Sequence, residues 1–89
     1  MHDNNSGANN ISMLGIIVED RVTASNINDL LGRYGEHIVG RLGIPYKDKN
    51  ISVICVVLDA PPDIVSALSG KLGMYEGVSA KTVVSKKKY

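Results

Sequence analysis

Ile51 to Leu58 reads ISVICVVL, and Ser52 is its one polar residue. Five of the eight residues are β-branched Ile or Val, which favours a strand by propensity and by length. Successive side chains of a strand point to opposite faces. Ile51, Val53, Cys55 and Val57 therefore face one way, and Ile54, Val56 and Leu58 the other. Both faces are apolar, so both need cover. This places the stretch at the centre of a sheet, with one face under helices and the other against a second subunit.

A second such run lies upstream. Ile11 to Glu19 reads ISMLGIIVE, with Met13, Gly15 and Ile17 on one face and Leu14, Ile16 and Val18 on the other. Between the two runs the period becomes helical. Ile27, Leu30, Leu31 and Tyr34 fall at i, i+3, i+4 and i+7, which predicts a helix from about Arg21 to Tyr34, capped by Asp20 or Thr23. Gly35 sits where a helix end favours a left-handed residue. His37 to Ile44 alternates weakly, and Pro45 ends this strand or puts it on an edge. Residues 46–50 form a polar connection.

After Leu58, the prolines and Asp63 mark a second helix start. Ile64, Val65, Leu68 and Leu72 form its buried stripe, and Gly73 closes it. Glu76-Gly77 turns into a last strand, Val78 to Val84. The order strand, helix, strand, strand, helix, strand is the split βαβ pattern of an α+β, ferredoxin-like βαββαβ domain. Its four-stranded antiparallel sheet carries two helices on one face. The first and third strands are the central pair, and these are the two runs that are apolar on both faces.

Eighty-nine residues make one small domain, and a 44% hydrophobic content excludes disorder of its body. We divide the chain into a loose tail at 1–10, the domain at 11–85 and a basic end at 86–89. A net charge of +1 argues against a dedicated nucleic-acid surface, and no nucleic-acid element is visible. No apolar run approaches the roughly 18 residues of a membrane span. The single Cys55 cannot form an internal disulfide, which fits a cytoplasmic setting.

The chemistry-bearing residues are few. Nucleophilic catalysis needs a base beside a Ser or Cys and a group to orient it. No such constellation and no phosphate loop is present, so no catalytic residue and no cofactor is assigned. For metal, His37 and Cys55 are the weak candidates; together they are half of a four-ligand site, and no metal is assigned. A small anionic ligand would find contacts in the loop after the first strand and around Pro45. Asp20, Arg21, Arg41, Gly43 and Tyr46 are the candidate ligand-binding residues.

Several segments together resemble a small bacterial family. They are Gly15-Ile16-Ile17-Val18-Glu19-Asp20-Arg21, then Ile38-Val39-Gly40-Arg41-Leu42-Gly43-Ile44-Pro45, then Ala67-Leu68-Ser69-Gly70-Lys71-Leu72-Gly73, with Gly77-Val78 and Lys81-Thr82-Val83 after them. The family is that of the iron-only hydrogenase system regulators, and the resemblance covers about residues 11 to 85. It implies an ACT-like fold, similar to the C-terminal sensor domain of nickel-responsive repressors. Those sensors assemble as tetramers through their sheets, so the resemblance implies a homodimer or homotetramer with a possible small-molecule ligand. Their histidine-rich nickel site is not carried over, since His37 and Cys55 alone remain. Their DNA-binding ribbon is not carried over either, because residues 1–10 are too short and too polar. The resemblance thus implies a stand-alone regulatory or ligand-sensing domain. The alternatives are a metal-sensing module using His37 and Cys55 across an interface, and a non-catalytic assembly factor.

Overall fold

A computed structural model describes residues 8–89. Strand β1 spans Asn10–Val18 and helix α1 spans Arg21–Arg33. A short 3-10 turn at Gly35–His37 leads to β2, Ile38–Tyr46. A second turn at Lys47–Lys49 joins β3, Ile51–Ala60. Helix α2 covers Pro62–Gly73 and strand β4 covers Val78–Lys88. The strands form one antiparallel sheet in the order β2-β3-β1-β4. The fold is the ferredoxin-like α+β arrangement, with the two doubly apolar strands paired at the centre.

Pairing of β1 with β3 sets Leu14 opposite Val56 and Ile16 opposite Ile54. These four side chains, with Val18 and Leu58, are buried beneath the helices. Ile27, Leu30 and Leu31 of α1 and Val65, Leu68 and Leu72 of α2 close over them. Truncating any one of the fully buried Leu or Ile side chains to Ala removes about 2–5 kcal/mol of stability.

The opposite face is uncovered. Three rows cross it: Gly40–Val57–Met13–Val83, Leu42–Cys55–Gly15–Lys81 and Ile44–Val53–Ile17–Ser79. Met13, Ile17, Leu42, Ile44 and Val83 are exposed there, and Val53, Cys55 and Val57 are half-buried.

The first and last strands run further than their composition implies. Residues 1–7 of the expected tail, including His2, lie outside the described residues. Asn10 is the first residue of β1 and is buried. Asn9 and Tyr89 exchange two backbone hydrogen bonds, at 3.2 and 2.6 Å. Lys86, Lys87 and Lys88 belong to β4 rather than to a separate end. The ladder shifts register between Asn10 and Ser12. Ser85 stitches that irregularity: its Oγ accepts from the Ile11 N–H at 3.0 Å, and its carbonyl accepts from Asn10 Nδ2 at 3.1 Å. Strand pairing requires only backbone groups and a partner. Here the partner is some 75 residues away, so local polarity misled the boundary.

Two helix ends also differ from expectation. Neither Gly35 nor Gly73 adopts a left-handed conformation; α1 runs through Tyr34 into the 3-10 turn, and α2 ends at Met74 in right-handed geometry. Positive φ occurs at Gly77, at +77°, and at Asn50, at 57°. A Cβ on Gly77 would make ordinary contact with Asp20 Oδ2, at 3.6 Å, so the cost of a side chain there is conformational. Gly77→Ala is therefore expected to lower stability by about 1–2 kcal/mol, the left-handed cost for an L-residue. Gly70→Ala, inside α2 with open space at its Cβ, should raise it by about 0.5–1 kcal/mol. Paired urea denaturation of the two variants checks the contrast.

Candidate functional site

The C-terminal end of β1 lies beside the start of β3, Val18 opposite Ser52. The β1–α1 loop and the β2–β3 connection therefore meet at one end of the sheet. Between them runs a groove of about 440 Å³, lined by Asp20, Arg21, Ser25, Asn28, Tyr46 and Lys47 among others. A smaller cavity of about 250 Å³ adjoins it along the β2 edge and shares Asn28, Pro45 and Ser52. Gly43 lines this second part, and its missing side chain leaves the space open.

The five sequence-predicted residues converge on this region. Asp20, Arg21 and Tyr46 line the groove directly. Arg41 sits on the helix side of the edge strand β2, opposite Val56, and its guanidinium donates to Asn28 Oδ1. Asn28 thus links Arg41 to the groove wall. The Asp20 carboxylate is committed to its helix. Its Oδ1 accepts from the Thr23 N–H at 2.7 Å and its Oδ2 from the Thr23 hydroxyl at 3.0 Å. These bonds, the backbone one foremost, hold the Asp20 carboxyl below its ordinary value of 3.8. Of the other lining side chains, Arg21 and Lys47 are cations, Asp29 is an acid, and Ser25 and Asn28 are neutral; the two cations outnumber the one carboxylate outside the cap, which suits an anion better than a cation.

Ser25, Asn28, Lys47, Asn50 and Ser52 escaped sequence reasoning. A signal for part of this set existed. Arg21, Ser25 and Asn28 recur at i, i+4 and i+7, so they form a polar stripe on α1 beside its apolar one. Asn50 and Ser52 carry no such signal, because only the β1–β3 register brings them to α1.

The metal candidates are apart. His37 lies in the 3-10 turn before β2, while Cys55 is at mid-β3 on the open sheet face. Ile38, next to His37, pairs with Leu58, three residues along the strand from Cys55. That separation is about 10 Å at strand rise. Among the described residues no three His, Cys, Asp or Glu side chains cluster as metal ligands. No helix there is long and apolar enough to cross a membrane.

Comparison with known proteins gives a strong likeness to one family. The profile of the family described as "TM1266-like: Iron-only hydrogenase system regulator, putative" matches residues 10–82. Protein TM1266 of Thermotoga maritima, itself uncharacterised, is 42% identical, with a TM-score of 0.83 over 88% of this chain and 99% of that one. The C-terminal domain of the MgtC protein of Mycobacterium tuberculosis shares the fold at 14% identity, with a TM-score of 0.66 over 97% of this chain and 95% of that domain. A formyltetrahydrofolate deformylase of Pseudomonas putida shares it at 12% identity and a TM-score of 0.59, over 82% of this chain and 28% of the enzyme. A comparison with curated protein sequences returned no match.

The cap at Asp20 has a pH signature. A carboxylate whose folded value is depressed stabilises the fold above its unfolded value and loses that contribution as pH falls through the lower, folded one. Asp20→Ala should therefore melt below the unsubstituted chain at neutral pH. The gap should close in acid below pH 3.8, which thermal melts followed by circular dichroism across the pH range would register.

Proposed function

The chain belongs to the iron-only hydrogenase system regulator family, and we propose that it serves there as a non-catalytic, homo-oligomeric sensing domain. In this reading two or four copies associate through the open face of the sheet. A small anionic ligand occupies the groove between α1 and the β2–β3 connection. The protein works in the cytoplasm, as its single unpaired cysteine favours.

The uncovered sheet face carries this reading. A four-stranded sheet nine residues long spans roughly 19 by 30 Å. Side-chain relief brings such an area near the ~800 Å² per partner of a standard interface. Its central rows hold Met13, Ile17, Leu42, Ile44, Val53 and Val57, with Lys81 as the charged member. Monomers rarely expose a contiguous apolar face of this extent. A second copy of the same face supports the reading best, because the three central rows carry one charge, Lys81, and offer little to a charged partner. The groove supports the second half. Arg21 and Lys47 line it, the Asp20 oxygens are held by Thr23, and Asp29 is the one further carboxylate on the lining. The groove and the sheet face share the β2 strand, so filling the first bears on the packing of the second.

Sedimentation at micromolar concentration should give a dimer or tetramer, and Ile17→Lys should give a folded monomer. A monomer from the unsubstituted chain overturns the assembly. For the ligand, free amino acids and nucleotides should raise the melting temperature of the unsubstituted chain, with the shift lost in Arg21→Ala. No shift with any of them removes the sensing half and leaves a partner protein as the effector.

A further inference from the structure

A second cleft lies on the helix side of the sheet, away from the α1 groove. It runs between α2 and β4 and has a volume of about 480 Å³. Its existence follows from small residues. Ser66, Ser69 and Gly70 line it from α2. Thr82 and Val84 form the opposite wall, Pro62 and Val65 add apolar surface, and Ser12 and Asn10 of β1 lie at its base.

Ser12 is the telling residue. It is 1% exposed, on the same face of β1 as Leu14 and Ile16, and its Oγ has no hydrogen-bond partner among the described residues. A buried hydroxyl left unpaired costs about 1–3 kcal/mol. Neighbouring polar groups do not relieve it. The Asn10 amide nitrogen already donates to the Ser85 carbonyl, and Ser85 Oγ is engaged with Ile11 and Lys87. A bridging water takes about 30 Å³, far less than the cleft provides.

We infer that the cleft between α2 and β4 binds a small uncharged molecule that supplies a hydrogen-bonding group to Ser12 Oγ. The class follows from the lining. Among the described residues no Lys, Arg, His, Asp or Glu side chain borders the cleft, so a formal charge would enter without a counter-ion from them. The hydroxyls of Ser12, Ser66, Ser69 and Thr82 donate and accept, and the walls at Pro62, Val65 and Val84 are flat and apolar. A heterocyclic amide or nucleobase combines the two requirements. The site is independent of the groove at Arg21 and of the open sheet face.

The test is a titration of the isotopically labelled full chain, followed by amide chemical shifts, with adenosine, uridine and nicotinamide. Adenosine monophosphate serves as the charged comparison. At least one neutral probe should shift the Ser12, Ser69, Gly70 and Thr82 resonances saturably, and the monophosphate should bind more weakly than adenosine. Gly70→Leu fills the mouth of the cleft at a position with open space around its Cβ, so it should fold and lose the shifts. Ser12→Ala keeps the cleft and removes its anchor, and should weaken binding about tenfold. No saturable shift from any neutral probe overturns the site. So does binding that survives Gly70→Leu unchanged, or a Ser12→Ala variant that melts higher and binds equally well.

Discussion

Everything in this fold depends on the pairing of β1 with β3. Each strand is apolar on both faces, and the antiparallel register aligns their apolar sets: Leu14 with Val56, Ile16 with Ile54 on one side, Met13 with Val57, Ile17 with Val53 on the other. A slip of one residue would exchange the two faces of one strand against the other. Since both faces are apolar, the register is not enforced by hydrophobicity alone. Size helps to select it: the middle of the helix-covered side receives Leu14, Ile16, Val18, Ile54, Val56 and Leu58, while the open side includes Gly15 and Cys55.

The helices complete one side of that pair and create the two clefts beside it. Helix α1 begins at the Asp20 cap, and its polar stripe of Arg21, Ser25 and Asn28 faces the end of the edge strand β2. Arg41 of β2 reaches back to Asn28, so strand and helix are joined by a polar contact outside the apolar core. Helix α2 is set beside β4, with small residues on that flank, and the space between them ends at a buried hydroxyl. Both openings lie where a helix meets an edge strand, α1 beside β2 and α2 beside β4.

The edges are treated differently. Strand β2 carries Pro45 and an irregularity at Val39, between Ile38 and Gly40, features that interrupt a continuous edge. Strand β4 is long and ends in three lysines, of which Lys88 pairs with Asn10 at the start of β1. Charge at that edge works against further strand addition. With both edges blunted, the flat apolar face is the surface left for association, in accord with the proposed assembly.

The order of elements, the central strands and the helix-covered face were legible in the sequence, because period-2 and period-3.6 patterns are local and strong here. The same local reading named Asp20, Arg21, Arg41, Gly43 and Tyr46, all of which border one groove system or bond to its wall. It failed where a residue's role is set by a distant partner. Asn10 and Lys88 look like loop residues until their strands meet, and Gly35 looks like a left-handed cap until the chain continues into a 3-10 turn. Ser52 and Asn50 join the groove only through the β1–β3 register, and Ser12 becomes an unpaired hydroxyl only once α2 and β4 enclose it. The sequence by itself determined which side chains shun water. Tertiary structure decided which polar groups they enclose, because hydrogen-bond partners 50 to 75 residues apart leave no trace in local periodicity.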